Sequence, residues 1–204
     1  MEFSGQFDID TVTVDEVWLA LSDPVMVKQC LPGCAFLVQV GEDDADFEAL
    51  REETADDEDP PTLPEADPDD VAARSFEEGR TYAALVEVGV GSVKPSFETL
   101  VTIEERELPR MRATGEGSAR NSSFEMDSWM TLTETDDGVR IDWEAETDVF
   151  GKVAQLGQRV INPVANQVVS RFFSKLESEL SDVAEDEGSG LRGRIRSAIG
   201  RDSS

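Results

Sequence analysis

From residue 153 to residue 180 the apolar residues Val153, Leu156, Val160, Val164, Val168, Phe172, Leu176 and Leu180 recur at threes and fours, drawing one ridge along a helix face. The ridge predicts one long helix over residues 151–180. Pro163 lies inside it and removes a backbone donor, but the apolar spacing keeps its phase beyond the proline, so a kink rather than a break is expected. A ridge of this length needs a long apolar surface to cover it.

The preceding sequence supplies one. Phe3, Gly5, Phe7 and Ile9 alternate with Glu2, Ser4, Gln6 and Asp8, the pattern of a half-buried strand. Thr13 and Glu16 form a capping box ahead of Val14, Val17, Trp18 and Leu21, which predicts a helix to about Ser22. Asp23-Pro24 starts a second short helix, ended by the Leu31-Pro32-Gly33 turn. Residues 36–40 read as a second strand. Further on, Tyr82, Ala84, Val86, Val88 and Val90 share one face, as do Phe97, Val101 and Ile103. Residues 110–118 and 124–132 continue the series, and Val139, Ile141 and Trp143 alternate with charged residues after the turn signal Asp136-Asp137-Gly138. Gly89-Val90-Gly91 reads as a bend in a curved sheet rather than a phosphate loop, since no helix or Lys-Ser/Thr pair follows it.

Strand, two helices, six strands and a long helix suit an α+β helix-grip fold, with a seven-stranded curved antiparallel sheet wrapped around the C-terminal helix. The expected domain spans residues 1–184, and residues 185–204 form a flexible tether and a short basic tail. The concavity of such a sheet is either filled by large side chains or open to an apolar ligand. If open, its expected lining is Val86, Phe97, Val101, Met126, Met130 and Trp143 from the sheet, with Leu156, Val160, Val164, Val168 and Phe172 from the helix.

Between strands two and three the composition changes. Residues 42–78 hold 17 acidic residues against Arg51 and Arg74, a local charge of −15. So much charge, with four prolines and little apolar surface, predicts a solvated, disordered insert over about residues 42–79.

The whole chain carries 45 Asp plus Glu against 18 Lys plus Arg, a net charge of −27, and only four of those cations are lysine. That balance excludes binding to a nucleic-acid duplex and points to a salt-rich cytoplasm. Self-repulsion destabilises the compact state in dilute buffer, whereas molar salt cuts the screening length to about 3 Å. Folding is therefore expected to depend on salt. Thermal unfolding in low-salt buffer and in molar KCl tests this, and equal two-state melts would refute it. The opening residues show no signal peptide, and no apolar run reaches membrane-spanning length, so a cytoplasmic protein is expected.

Catalysis has little to work with. There is no histidine, which removes Ser-His and Cys-His arrangements, and 45 acids guarantee chance carboxylate pairs. Cys30 and Cys34 in QCLPGC make neither a zinc site nor a disulfide framework, and read as two packed thiols. The expectation is a non-enzyme without a metal or a tightly bound cofactor.

Two features remain. Trp129 falls with Asp127, Thr131 and Thr133 on the outward face, either covered by the acidic insert or offered to a partner. In the tail, Arg192, Arg194, Arg196 and Arg201 sit among Leu191, Ile195, Ala198 and Ile199. This is a basic amphipathic helix that either lies on an anionic membrane or in a partner groove, or frays. Its candidate contact residues are Leu191, Arg192, Arg194, Ile195, Arg196 and Ile199.

Four segments carry a resemblance: MEFSGQFDI at the start, QCLPGC, VGVGSVKPSF at 88–97 and FGKVAQLGQRVI at 150–161. Together they resemble the G subunit (CoxG) family of aerobic carbon monoxide dehydrogenase, over about residues 1–41 and 80–176, with the FGKVAQLG run the most specific. The resemblance implies a START/Bet v 1-like domain of the SRPBCC superfamily. It implies no catalytic residues, association with a molybdenum hydroxylase at the inner face of the membrane, and a cavity for a quinone or lipid. By matched motif, Gly151, Lys152, Leu156 and Gly157 open the final helix, while Lys94 and Phe97 lie on a cavity-edge strand. The acidic insert departs from the family pattern, and the basic tail is no membrane span.

Overall fold

The computed structural model describes residues 1–41, 45–55, 57–89, 94–185 and 190–202. Its strands are β1 (Glu2–Asp10), β2 (Cys34–Val40), β3 (Thr81–Glu87), β4 (Ser96–Glu107), β5 (Arg110–Ala119), β6 (Ser122–Glu134) and β7 (Gly138–Gly151). All pair antiparallel in one sheet ordered β1-β7-β6-β5-β4-β3-β2. The helices are α1 (Val14–Ser22), α2 (Pro24–Cys30), α3 (Phe47–Glu53), α4 (Pro68–Ala73), α5 (Gln158–Glu185) and α6 (Leu191–Asp202). This is the α+β helix-grip arrangement expected from the order of periodicities.

Local chemistry places the first elements. Thr13 and Glu16 close the capping box of α1, with the Glu16 carboxylate accepting from the Thr13 N–H at 2.7 Å. Asp23 caps α2 by accepting from the Val25 N–H, and Pro24 opens it. Gly33, at φ +79°, makes the turn into β2. The main core joins Ile9, Leu132 and Ile141 of the sheet to Trp18 of α1, Met26 of α2 and Phe173, Leu176 and Leu180 of α5. Phe7 and Phe173 stack with ring centroids 5.3 Å apart.

The long helix starts later than its apolar ridge suggested. Gly151 ends β7 at φ +79°, where a Cβ would lie 2.1 Å from the Asn121 carbonyl oxygen. A 3-10 turn over Ala154–Leu156 and Gly157 at φ +72° follow, so α5 begins at Gln158 and runs 28 residues, through Pro163, to Glu185. Two glycines in the left-handed region turn the chain before it can wind as a helix.

The acidic insert is largely built rather than disordered, which corrects the compositional reading. Phe47 and Leu50 of α3 pack on Phe36, Ala83 and Leu85 across the outer face of β2 and β3. Leu63, Ala66 and Val71 enter the main core, and Phe76 meets Tyr82 edge to face at 4.8 Å. Its larger apolar side chains are buried or half-buried. Several acids have structural duties: Asp46 and Asp67 cap α3 and α4, and Asp59 pairs with Lys28 at 2.7 Å. Arg74 forms a forked pair with the buried Asp23. Residues 42–44 and 56 of the insert lie outside the described residues, as do Val90 and Gly91 of the expected bend.

The basic tail is also committed. Leu191, Ile195 and Ala198 are buried, Ile195 completely, and Leu191 and Ile195 join the core that holds Leu63 and Val71. Arg192 donates from Nε to Glu16 Oε1 at 2.9 Å and from Nη2 to the Thr11 carbonyl at 2.7 Å. Arg194 pairs with Asp67, and Arg196 with Asp15 at 3.4 Å. The face expected to meet a membrane or partner thus meets α1 and the insert of its own chain. Of the expected tether, residues 186–189 lie outside the described residues. Among the described residues no helix is long and apolar enough to cross a membrane.

Candidate functional site

Where β1 ends and β7 begins, the concave face is filled by α1. At the opposite end, among the described residues, Val153 and the first turns of α5 cover it, and a cavity of about 290 Å³ remains between helix and sheet. Phe3, Val88, Phe97, Phe124, Met126 and Trp143 line it from the sheet, with Ala145, Thr147 and Val149 along β7. Val153, Ile161, Val164, Ala165, Val168 and Val169 close it from the other side. Thr147 is the one lining residue with a hydroxyl. The volume falls at the lower edge of the ~300–1,000 Å³ usual for small-molecule sites.

Five of the residues expected to line the cavity do so: Phe97, Met126, Trp143, Val164 and Val168. Six do not. Met130 and Phe172 are packed against the main core, and Leu156 is 41% exposed because the 3-10 turn carries it outward. Val160 is off the inward stripe, because a helix starting at Gln158 aims Ile161, Val164 and Ala165 inward instead. Val86 and Val101 share the inward parity but stand beside the cavity rather than on it. Phe3 and Phe124 carried the same alternation signal; what the sequence left unsaid was the register that sets them at the cavity end.

Gly117 shapes the wall. A Cβ there would lie 2.3 Å from the Phe124 ring, so only glycine lets that ring rest on β5 and meet Phe97 edge to face at 5.4 Å. Thr99, next inward on β4, is buried with its hydroxyl oxygen unbonded among the described residues.

The described residues of this lining include no acid, base or thiol. Burial pushes both thiols up to about 11, so Cys30 and Cys34 stay protonated near neutrality. Among the described residues no three His, Cys, Asp or Glu side chains are placed so that they could hold a metal ion. A larger depression of about 640 Å³ lies on the outer sheet face, an open surface where Glu2, Glu116, Glu125, Asp127, Glu146 and Asp148 outnumber the apolar Met1, Leu100 and Met126. Trp129 lies on that outer face too, but its cover comes from Arg112, 5.7 Å from the ring centroid and forked onto Asp127, rather than from the insert.

The family profile for the G subunit of carbon monoxide dehydrogenase (CoxG) matches residues 72–181, more than half of the chain. The chain belongs to the CoxG family. CoxG is a family of accessory subunits, and its profile spans β3 to α5, a stretch that supplies every described cavity-lining residue but Phe3 of β1. No curated protein matches the sequence.

Solved structures agree on the fold. A conserved protein from Geobacillus kaustophilus is 22% identical with a TM-score of 0.66, covering 89% of this chain and 95% of that one. A Thermus thermophilus protein is 10% identical with a TM-score of 0.55, covering 90% and 99%. A hypothetical protein from Helicobacter pylori is 13% identical with a TM-score of 0.54, covering 87% and 86%. These are Bet v 1/SRPBCC-like folds, and at such identities the likeness concerns fold alone.

Proposed function

We propose that this CoxG protein is a non-catalytic carrier of an apolar ligand, a quinone or lipid, that couples a CO-dehydrogenase-type molybdenum hydroxylase to the membrane. The observation that carries this reading is the cavity itself: about 290 Å³ of space walled by aromatic and aliphatic side chains. In a lining of this kind affinity comes from burying apolar surface, and polar ligands lose more hydration than they regain. A quinone ring or a segment of acyl or prenyl chain fits such a wall. The absence of histidine and the protonated thiols agree with a carrying rather than a chemical role.

Organic-solvent extraction of protein purified from its native host, followed by mass spectrometry, is expected to release a stoichiometric quinone or lipid. Repeated extraction of material with neither would sink the carrier reading. A second reading is favoured by Trp129: an aromatic ring held by Arg112 on the outer sheet face suits an assembly protein that grips the hydroxylase there without a ligand. Loss of hydroxylase capture in Trp129→Ala, together with an empty cavity, would favour it.

A further inference from the structure

The cavity end of the molecule differs from the rest of its surface. Three large apolar residues are exposed among the described residues, Leu108, Phe150 and Leu156, and the last two flank the turn from the end of β7 into α5. Phe150 is 49% exposed although it lies within a fourteen-residue strand, next to its last residue. The corner that presents it is fixed: the Lys152 N–H donates to the Asn121 carbonyl at 2.8 Å and the Val153 N–H to Ser122 Oγ at 3.1 Å. This joins it to the β5–β6 turn that carries Arg120. On the other flank, the Val88 N–H donates to the Pro95 carbonyl at 3.0 Å, holding Lys94 beside cavity-lining Val88.

Lys94, Arg120, Lys152 and Arg159 are all exposed and have no ion-pair partner among the described residues. Elsewhere Lys28, Arg74, Arg140, Arg192 and Arg194 are each paired with a carboxylate. The sequence separates charge in the same way. Residues 149–176 contain no Asp or Glu but carry Lys152, Arg159, Arg171 and Lys175, and residues 117–124 contain no acid either, in a chain with 45 acids. Carboxylates stand on the strands behind the rim, Glu87, Glu98, Glu116, Glu125 and Asp148 among them.

We infer that this rim is a docking surface for an anionic lipid bilayer, with Phe150 and Leu156 entering the interface and Lys94, Arg120, Lys152 and Arg159 meeting the lipid phosphates. A chain of net charge −27 is repelled by such a surface in other orientations, so the cationic end selects how it approaches. Exposed aromatic and aliphatic side chains flanked by unpaired cations match the layered chemistry of a bilayer interface. The same orientation brings the cavity against the bilayer and leaves α6 at the far end, so the basic tail is not the membrane contact. In its motive the inference rests on the carrier reading, since an apolar ligand transfers most readily where cavity and bilayer meet.

Flotation of the full chain, without added ligand, on vesicles of phosphatidylglycerol and phosphatidylcholine tests it. The salt should be the lowest KCl concentration that keeps the native circular dichroism. Binding is expected to anionic vesicles and to fall about ten-fold or more in Phe150→Ser/Leu156→Ser and in Lys152→Glu/Arg159→Glu. Leu108→Ser and Arg110→Glu, exposed at the opposite end, should float like the wild type. Failure of the wild type to float, or equal flotation of the rim variants, overturns the inference. So does a wild type that ignores vesicles while the rim variants alone lose capture of the purified hydroxylase, which would make the rim a protein interface. Flotation with a cavity empty in native material would refute the carrier reading and leave the docking surface standing.

Discussion

Ending the chain before α6 is expected to destabilise the domain by several kcal/mol, enough to unfold a domain of ordinary stability under mild conditions. Ile195 is fully buried beside Leu63 and Val71, and replacing such a residue with alanine alone costs about 2–5 kcal/mol. Loss of the helix also removes Leu191 and Ala198 and leaves the Glu16 carboxylate, itself 0% exposed, without the Arg192 guanidinium. Because Arg192 is about one-third exposed (37%), solvent screens that pair, and Arg192→Ala by itself is expected to cost about 1–3 kcal/mol. Denaturant unfolding of Ile195→Ala, Arg192→Ala and the truncated chain in molar KCl measures this. If the truncated chain kept wild-type stability, α6 would not be part of the core, and a free tail would again be available for membrane contact.

The second large effect is on ligand binding without loss of fold. Ala165→Phe directs a ring into the cavity from α5, and a side chain that fills existing space is tolerated to within about 1–3 kcal/mol. The same ring takes much of the room a ligand needs. Affinity for a short-chain quinone or fatty-acid probe, read from quenching of Trp143 in the cavity wall, is expected to fall about a hundred-fold, some 2.7 kcal/mol. Gly117→Ala should act in the same direction by a different route, since its methyl group would displace the Phe124 ring toward the cavity. Unchanged binding in both variants would place the ligand elsewhere.

These two expectations separate what local pattern could tell from what it could not. Strand order, the capping box at Thr13 and Glu16, the Asp23-Pro24 helix start and the hairpin at Gly138 were legible because each depends on residues within a few positions of one another. Alternation also showed which side chains point inward. It could not show which of those meet empty space: Met130 and Met126 share a face, yet Met130 packs on the core and Met126 lines the cavity. That difference comes from where α1 stops filling the concave face.

The acidic insert was misread for a related reason. Its charge density describes its water-facing side, while Leu63 and Val71 join a core with residues of α1 and α6, and Phe76 one with Val27 and Ile103, all distant in the chain. The start of α5 differs because the apolar spacing runs from Val153 on through Gly157, whereas the backbone turns at Gly151 and again at Gly157.

For the long apolar helix and its gripping sheet, the sequence alone determined that an amphipathic ridge exists and that alternating strands would cover it, since period and hydrophobicity are local properties. It likewise determined that the tail helix has an apolar side. Only the tertiary structure decided what covers that side, where the cavity is left, and which cations stay unpaired beside it. Each of these depends on contacts between segments distant in sequence, and amphipathicity names the face to be buried without naming its partner.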